Sequence, residues 1–203
     1  LQIAKKVAEK VKTKLGINVI KTREDDIDIS LEERCTIANI HEADLLISIH
    51  TNGFEQPSVS GIETFYLNIM PEPGSIRVAA MEDGANPKKV EMMEVILKDL
   101  LQNSRSQDSK NLAKNVQKYL YEQLKKSHIA VRDRGIKQAP FYVLLGSQMP
   151  AIMIQVGFIS NPDECELLRS DGYQESISTG IVNGISAFMK ARRTQPDSGA
   201  DGM

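Results

Sequence analysis

The sequence predicts an α/β protein, with helices packed on a β-sheet. Three observations carry this. Helical and strand-like patterns alternate over the first third of the chain in the order helix, strand, helix, strand, strand. Residues 44–50 (DLLISIH) form a near-continuous apolar run, as a strand buried on both faces should. A second strand-like apolar run, residues 151–156 (AIMIQV), lies between a turn and a helix start.

The elements follow in order. Leu1, Ile3, Val7, Val11 and Leu15 recur at helical spacing, with lysines and Glu9 mostly on the other side. Gly16 is placed to end this helix. The helical pattern is already under way at Leu1 with no cap before it, so an N-terminal part of the domain is expected upstream. Residues 17–22 (INVIKT) read as a short strand. Ser30 with Glu33 is a capping-box signal opening a helix, with Leu31, Arg34, Cys35, Ala38 and Ile40 near one face. Residues 61–67 (GIETFYL) read as another strand.

Residues 70–108, with Pro71, Pro73, Gly74, Gly84 and Pro87, have the composition of an insertion, part loop and part helix. A long helix is predicted over about 109–126, with Leu112, Val116, Tyr119, Leu120 and Leu124 on one side. Residues 141–145 and 151–156 read as two strands, joined too tightly for a parallel crossover and therefore antiparallel if paired. Asn161 before Pro162 is an N-cap followed by an N1 proline, opening a helix to Arg169. A last helix is expected over about 173–191. The domain is expected to span 1–192, followed by a polar, disordered tail at 193–203.

Composition excludes several function classes. The chain of 203 residues suits one large domain. A net charge of −2 provides no basic field for nucleic acid or anionic lipid. No apolar run approaches the roughly 18–20 residues of a membrane span. Two cysteines cannot form a disulfide scaffold or a Cys-rich metal site, and both are expected to be small buried hydrophobes on helices. No phosphate loop, dinucleotide fingerprint or nucleophile elbow is present.

Two polar residues end apolar runs at the carboxyl rim, where open α/β sheets bind ligands. His50 closes DLLISIH, and reads either as a hydrogen-bonded rim histidine or as a metal or catalytic residue. Gln155 nearly closes AIMIQV and reads as an amide satisfying buried backbone groups unless the site uses it. If their strands are parallel neighbours, both side chains open on one rim. His41 and His128 read as solvated.

Several ordered motifs carry a family resemblance. They are Thr22-Arg23 with residues 31–34 (LEER) and 38–39 (AN), residues 44–52 (DLLISIHTN), 108–113 (DSKNLA), 134–140 (RGIKQAP) and 149–162 (MPAIMIQVGFISNP). With them the chain resembles the zinc-dependent N-acetylmuramoyl-L-alanine amidases over nearly its whole length. The resemblance implies a central, mostly parallel twisted sheet flanked by helices on both faces. It implies hydrolysis of the amide between N-acetylmuramic acid and the L-alanine of the peptidoglycan stem peptide, by a monomer outside the cytoplasmic membrane, in the periplasm or extracellular envelope. One zinc ion held by two histidines and a glutamate is implied, with a second glutamate as general base.

His50 matches the last zinc histidine. The first histidine and the ligand glutamate belong to motifs expected upstream of Leu1. Where the family places its general base, this chain has Gln155, an amide of similar shape that cannot take a proton from water. Three explanations compete: an engineered inactivation, a natural relative that binds peptidoglycan without cleaving it, and a natural enzyme that recruits another base. Asn52, Arg134 and Lys137 carry over as candidate substrate contacts near the rim. Some members of the family carry an inserted helix whose glutamate plugs the zinc site until an activator protein removes it. Glu82, Glu91 and Glu94 are the candidates for that plug, with an unregulated surface helix as the alternative.

Overall fold

A computed structural model of the chain describes residues 1–67, 105–127 and 131–194. Helix α1 (Gln2–Lys10) continues into a wider π-helical turn, Val11–Leu15, and Gly16 ends it with left-handed backbone at φ 67°. Helix α2 (Leu31–Ile40) begins as its capping signal predicts, with the Glu33 N–H donating to Ser30 Oγ at 3.1 Å. Strands β1 (Leu46–Asn52) and β2 (Ile62–Tyr66) precede the long helix α3 (Arg105–Ser127). Strands β3 (Asp133–Gln138) and β4 (Ala151–Phe158) follow, then α4 (Pro162–Arg169) and α5 (Asp171–Thr194).

The sheet order is β1-β4-β2-β3. The pairings β1–β4 and β2–β3 are parallel, and β2–β4 is antiparallel, so two parallel pairs meet head to tail at the centre. Strands β2 and β4 are buried throughout. Side-chain alternation divides the core between two faces. Ile62, Tyr66, Ile152, Ile154 and Val156 meet Ile3 and Val7 of α1, Leu112, Val116 and Leu120 of α3 and Ile181 of α5. Phe65, Ala151 and Met153 meet Ala38 of α2 and the segment carrying Phe141 and Leu144. Helices therefore cover both faces, as expected.

Close backbone approach holds the larger layer together. A Cβ at Gly184 would lie 2.5 Å from the Val116 Cα, and one at Gly180 would lie 2.7 Å from the Leu120 Cα. Both glycines sit on α5, one turn apart, and only their lack of a side chain lets α3 lie this near. Buried Gln117 of α3 ties that layer to the sheet. Its Nε2 donates to the Ile62 carbonyl at 3.0 Å and to Asp133 Oδ1 at 2.6 Å, while its Oε1 accepts from Thr64 Oγ1 at 2.7 Å. At the edge of the layer, Lys6 and Lys10 reach Glu175 at 2.7 and 2.5 Å, and Lys6 also reaches Asp171 at 2.8 Å.

Several expectations need correction. Residues 17–22 form no strand: Ile17 and Val19 face the core in alternation, but no neighbouring strand completes a ladder among the described residues. Residues 141–145 are not a strand either. Tyr142–Leu144 make a 3-10 turn, closed by the Leu144 N–H on the Phe141 carbonyl at 3.0 Å. A short apolar run signals burial, and burial is served equally by a strand or a packed turn. The conditional antiparallel pairing with β4 therefore does not arise, and β4 pairs with β1 and β2. Strand β3 was missed because its sequence, DRGIKQ, is charged and half-buried at an edge.

Strand β1 is less buried than its apolar run suggested, since it is paired on only one side among the described residues. Ile40 is exposed rather than on the packed face of α2, and Cys165 is only half-buried, while Cys35 is buried. Helix α5 covers Asp171–Thr194, slightly longer at both ends than the expected 173–191. The insertion core at 70–104, His128 and the tail at 195–203 lie outside the described residues.

Three measurements check this architecture. Gly184→Val should destabilise by about 1–3 kcal/mol, because a new side chain meets backbone that cannot step aside, whereas Gly172→Ala, where the added Cβ meets nothing within 4 Å, should leave the melting temperature nearly unchanged. Gln117→Ala strands Thr64, Asp133 and a buried carbonyl, and should cost about 1–3 kcal/mol in denaturant unfolding. The third concerns pH. Hydrogen bonds from Lys10 and then Lys6 hold the Glu175 carboxyl down at about 2. A depressed carboxyl stabilises the fold above the unfolded carboxylate range and loses that contribution as pH falls toward 2. Glu175→Gln should therefore lower the melting temperature at pH 7 and converge on the parent near pH 2, with the difference shrinking in high salt.

Candidate active site

The register of β4 builds the site. His50 on β1 and Glu63 on β2 are both Cα partners of Gln155, so the three residues form one row across the sheet. Paired residues on adjacent strands share a face, and this row lies on the face that carries Ala151, Met153 and Phe65. Along β4 that face is apolar at the start and polar at Gln155, which places the row at the carboxyl ends of β1 and β4. The oppositely directed β2 and β3 bring Glu63 and Arg134 to the same end.

Asn52 organises the row. Its Oδ1 accepts the Gly53 N–H at 2.8 Å, which turns its amide nitrogen inward. That nitrogen donates to Glu63 Oε1 at 3.1 Å and to Gln155 Oε1. Gln155 is fully buried, and Glu63 is 2% exposed. A charge buried this deeply must be compensated. The other Glu63 oxygen, Oε2, accepts from Arg134 Nε at 3.0 Å and Lys137 Nζ at 2.5 Å. The guanidinium of Arg134 also lies over the Phe158 ring at 5.3 Å, and the Lys137 ammonium lies 5.8 Å from the Phe65 centroid. Two cations and one carboxylate thus meet beside the row, and Arg134 also acts electrostatically on Glu164.

His50 is half-buried, and its Nε2 lies 2.7 Å from Ser48 Oγ. The loops above the row are tied to each other. The Ile159 N–H donates to the Asn52 carbonyl at 2.8 Å, the Phe54 N–H to Ser160 Oγ at 3.0 Å, and Asn161 Nδ2 to the Pro57 carbonyl at 2.8 Å. Buried Glu164 completes this support: it accepts the Gly61 and Phe158 N–H groups, both at 2.7 Å, one on each oxygen. Burial pushes its carboxyl above the usual range, against the opposing pull of those two donors and of Arg134. Its own N–H is capped by Asn161 Oδ1 at 3.0 Å.

The structure thus brings His50, Asn52, Arg134, Lys137 and Gln155 together. Arg134 and Lys137, expected as substrate contacts, are here engaged by Glu63. Glu82, Glu91 and Glu94 lie outside the described residues, and His41 is exposed at the end of α2. Sequence reasoning missed Ser48, Glu63 and Glu164. The available signal for Glu63 was a carboxylate inside the otherwise apolar strand GIETFYL, since acids are almost never fully buried without a partner. For Glu164 it was the third helical position after the Asn161 cap.

His50 offers the imidazole chemistry of a metal ligand or a proton carrier. Among the described residues no group of three His, Cys, Asp or Glu could hold an ion, so these residues do not complete a ligand set.

Residues 1–187 match the family model described as N-acetylmuramoyl-L-alanine amidase. The N-acetylmuramoyl-L-alanine amidase AmiA of Salmonella typhimurium is 32% identical over 182 residues, covering 85% of this chain. The chain spans 61% of that relative's length. The crystal structure of an N-acetylmuramoyl-L-alanine amidase from Clostridium difficile 630 superposes with a TM-score of 0.72 at 33% identity, covering 94% of this chain and 82% of that one. The CwlD amidase of Clostridioides difficile, whose structure is of a complex with the GerS lipoprotein, has a TM-score of 0.67 at 26% identity over 93% of this chain and 83% of its own. By its sequence over residues 1–187 and by its fold, the chain belongs to the N-acetylmuramoyl-L-alanine amidase family.

Proposed function

We propose that this chain is the catalytic domain, residues 1–192, of a peptidoglycan amidase acting on the bond between N-acetylmuramic acid and the L-alanine of the stem peptide, with catalysis impaired by Gln155. The observation that carries the reading is the buried row in which Gln155 lies between His50 and Glu63, with its oxygen held by Asn52. In this reading His50 is one ligand of a zinc ion. When bound, the ion supplies acidified water and polarisation of the scissile carbonyl.

The residues of the chain then divide the remaining work. Position 155 is where the family's general base would take a proton from that water. As a glutamine it has no carboxylate to take a proton, so the general-base contribution is lost. Asn52 orients the side chain at position 155. Arg134 and Lys137, neutralised only in part by Glu63, attract a stem-peptide carboxylate. The substrate places the site in the periplasm or the extracellular envelope. No helix among the described residues is long and apolar enough to cross a membrane. The protein works as a monomer. An activator protein is a further proposed partner, supported by the CwlD–GerS complex, and Glu82, Glu91 and Glu94 are the residues proposed to plug the site in its absence. The neutral, fully buried amide also favours a second reading, a peptidoglycan-binding or regulatory pseudoenzyme on the same scaffold.

Turnover of purified muropeptides separates the two. Gln155→Glu should raise the rate over the parent by about 10²–10⁴-fold, the usual worth of a positioned acid or base. No gain, with peptidoglycan pulldown intact, favours the binding reading. Elemental analysis of the zinc-supplied protein should find about one zinc per chain, in keeping with a catalytic zinc site, and His50→Ala should remove most of it. Near-zero zinc in the parent would count against the metal assignment.

A further inference from the structure

We propose that Arg134 is the residue by which this domain recognises a free carboxylate of the stem peptide, meeting it end-on through its two Nη groups. The inference rests on the reading of the substrate as peptidoglycan, and gives one of the two rim cations a specificity that the other lacks. A bulge in β3 makes the arrangement. Ile62 is registered on Asp133 and Thr64 on Ile136, so Glu63 of β2 is opposed by two residues, Arg134 and Gly135. Gly135 takes left-handed backbone at φ 75°, which glycine adopts without strain, and its N–H donates to Asp133 Oδ1 at 2.8 Å. In a regular strand Arg134 and Lys137, three residues apart, would project from opposite faces. The extra residue cancels that alternation, and both cations reach Glu63 Oε2.

The two cations are engaged differently. A guanidinium offers a carboxylate two edges, one formed by Nε with an Nη and the other by the Nη pair. Glu63 takes the Nε edge at 3.0 Å, and the Phe158 ring lies against one face at 5.3 Å. Glu164, which also interacts electrostatically with Arg134, has each oxygen occupied by a backbone N–H. Among the described residues neither Nη makes a hydrogen bond and neither is a buried atom left without one, so the pair reaches solvent on a side chain 25% exposed. Held at one edge and one face, the guanidinium has little freedom left to lose when its outer edge meets a carboxylate. Lys137 places a compact ammonium on the same Glu63 oxygen at 2.5 Å and has no second edge to present.

The test is binding, read by NMR titration of the protein with N-acetylmuramoyl-L-alanyl-D-glutamic acid and with its diamide, which differ only in the two glutamate carboxyls. The parent should bind the diacid about 10-fold more tightly, the usual effect of a hydrogen-bonded pair between charged groups. Arg134→Lys keeps the charge and removes the fork, and should bring the two affinities to within about 2-fold of each other. Lys137→Gln removes a charge and should keep most of the preference. Circular dichroism and melting temperature check that each variant folds like the parent. Equal binding of the two ligands by the parent overturns the inference while leaving the reading of the substrate in place. So does a preference that survives in Arg134→Lys or is lost in Lys137→Gln. A parent that binds neither ligand overturns the reading of the substrate and the role of Arg134 with it.

Discussion

Strand β4 pairs with β1 in one sense and with β2 in the other, and most of the structure depends on that double pairing. A fully buried central strand must satisfy every backbone group through its neighbours, which holds its register tightly. Because side chains alternate across a strand, one register assigns Ile152, Ile154 and Val156 to the larger core and Ala151, Met153 and Gln155 to the other face. A slip of one residue would exchange the two sets, putting Gln155 among aliphatic side chains and Ile154 in the polar row. The position of Gln155 between His50 and Glu63 is therefore set by the packing of the core.

The polar row brings an electrostatic cost that the surrounding residues offset. Glu63 is buried, and an isolated carboxylate there would be strongly unfavourable. Arg134, Lys137 and the Asn52 amide each contribute one contact to it. Such clusters add little net stability compared with an apolar core, but losing one partner leaves the others uncompensated. Glu63 thus commits Arg134 and Lys137 to a defined place at the rim. It also fixes Asn52, and through it the side chain at position 155. Glu164 acts in the same way on the backbone, joining the start of β2 to the end of β4 by two N–H bonds.

Local signals in the chain were readable where one short stretch contains the whole interaction. The Ser30 and Asn161 caps, the αL residue at Gly16 and the apolar spacing of α3 involve neighbours within a turn or two, and each stands as read. Strand assignments were less secure, because a strand exists only with a partner. Residues 17–22 have the alternation and no ladder among the described residues, while the charged β3 has a ladder and no apolar pattern. Residues 141–145 show the same ambiguity from another side, with buried side chains carried by a turn.

The sequence by itself determined the α/β class, the ordered motifs of the amidase family and the prominence of His50 and Gln155. These depend on residue identity and short-range spacing. Only the tertiary structure decided that His50, Gln155 and Glu63 form one row, that Asn52 holds two of them, and that Arg134 and Lys137 answer a buried carboxylate. Glu63 precedes Arg134 and Lys137 by 71 and 74 residues, and Asn52 precedes Gln155 by 103. Contacts over such separations follow from strand order and register, which no local pattern encodes.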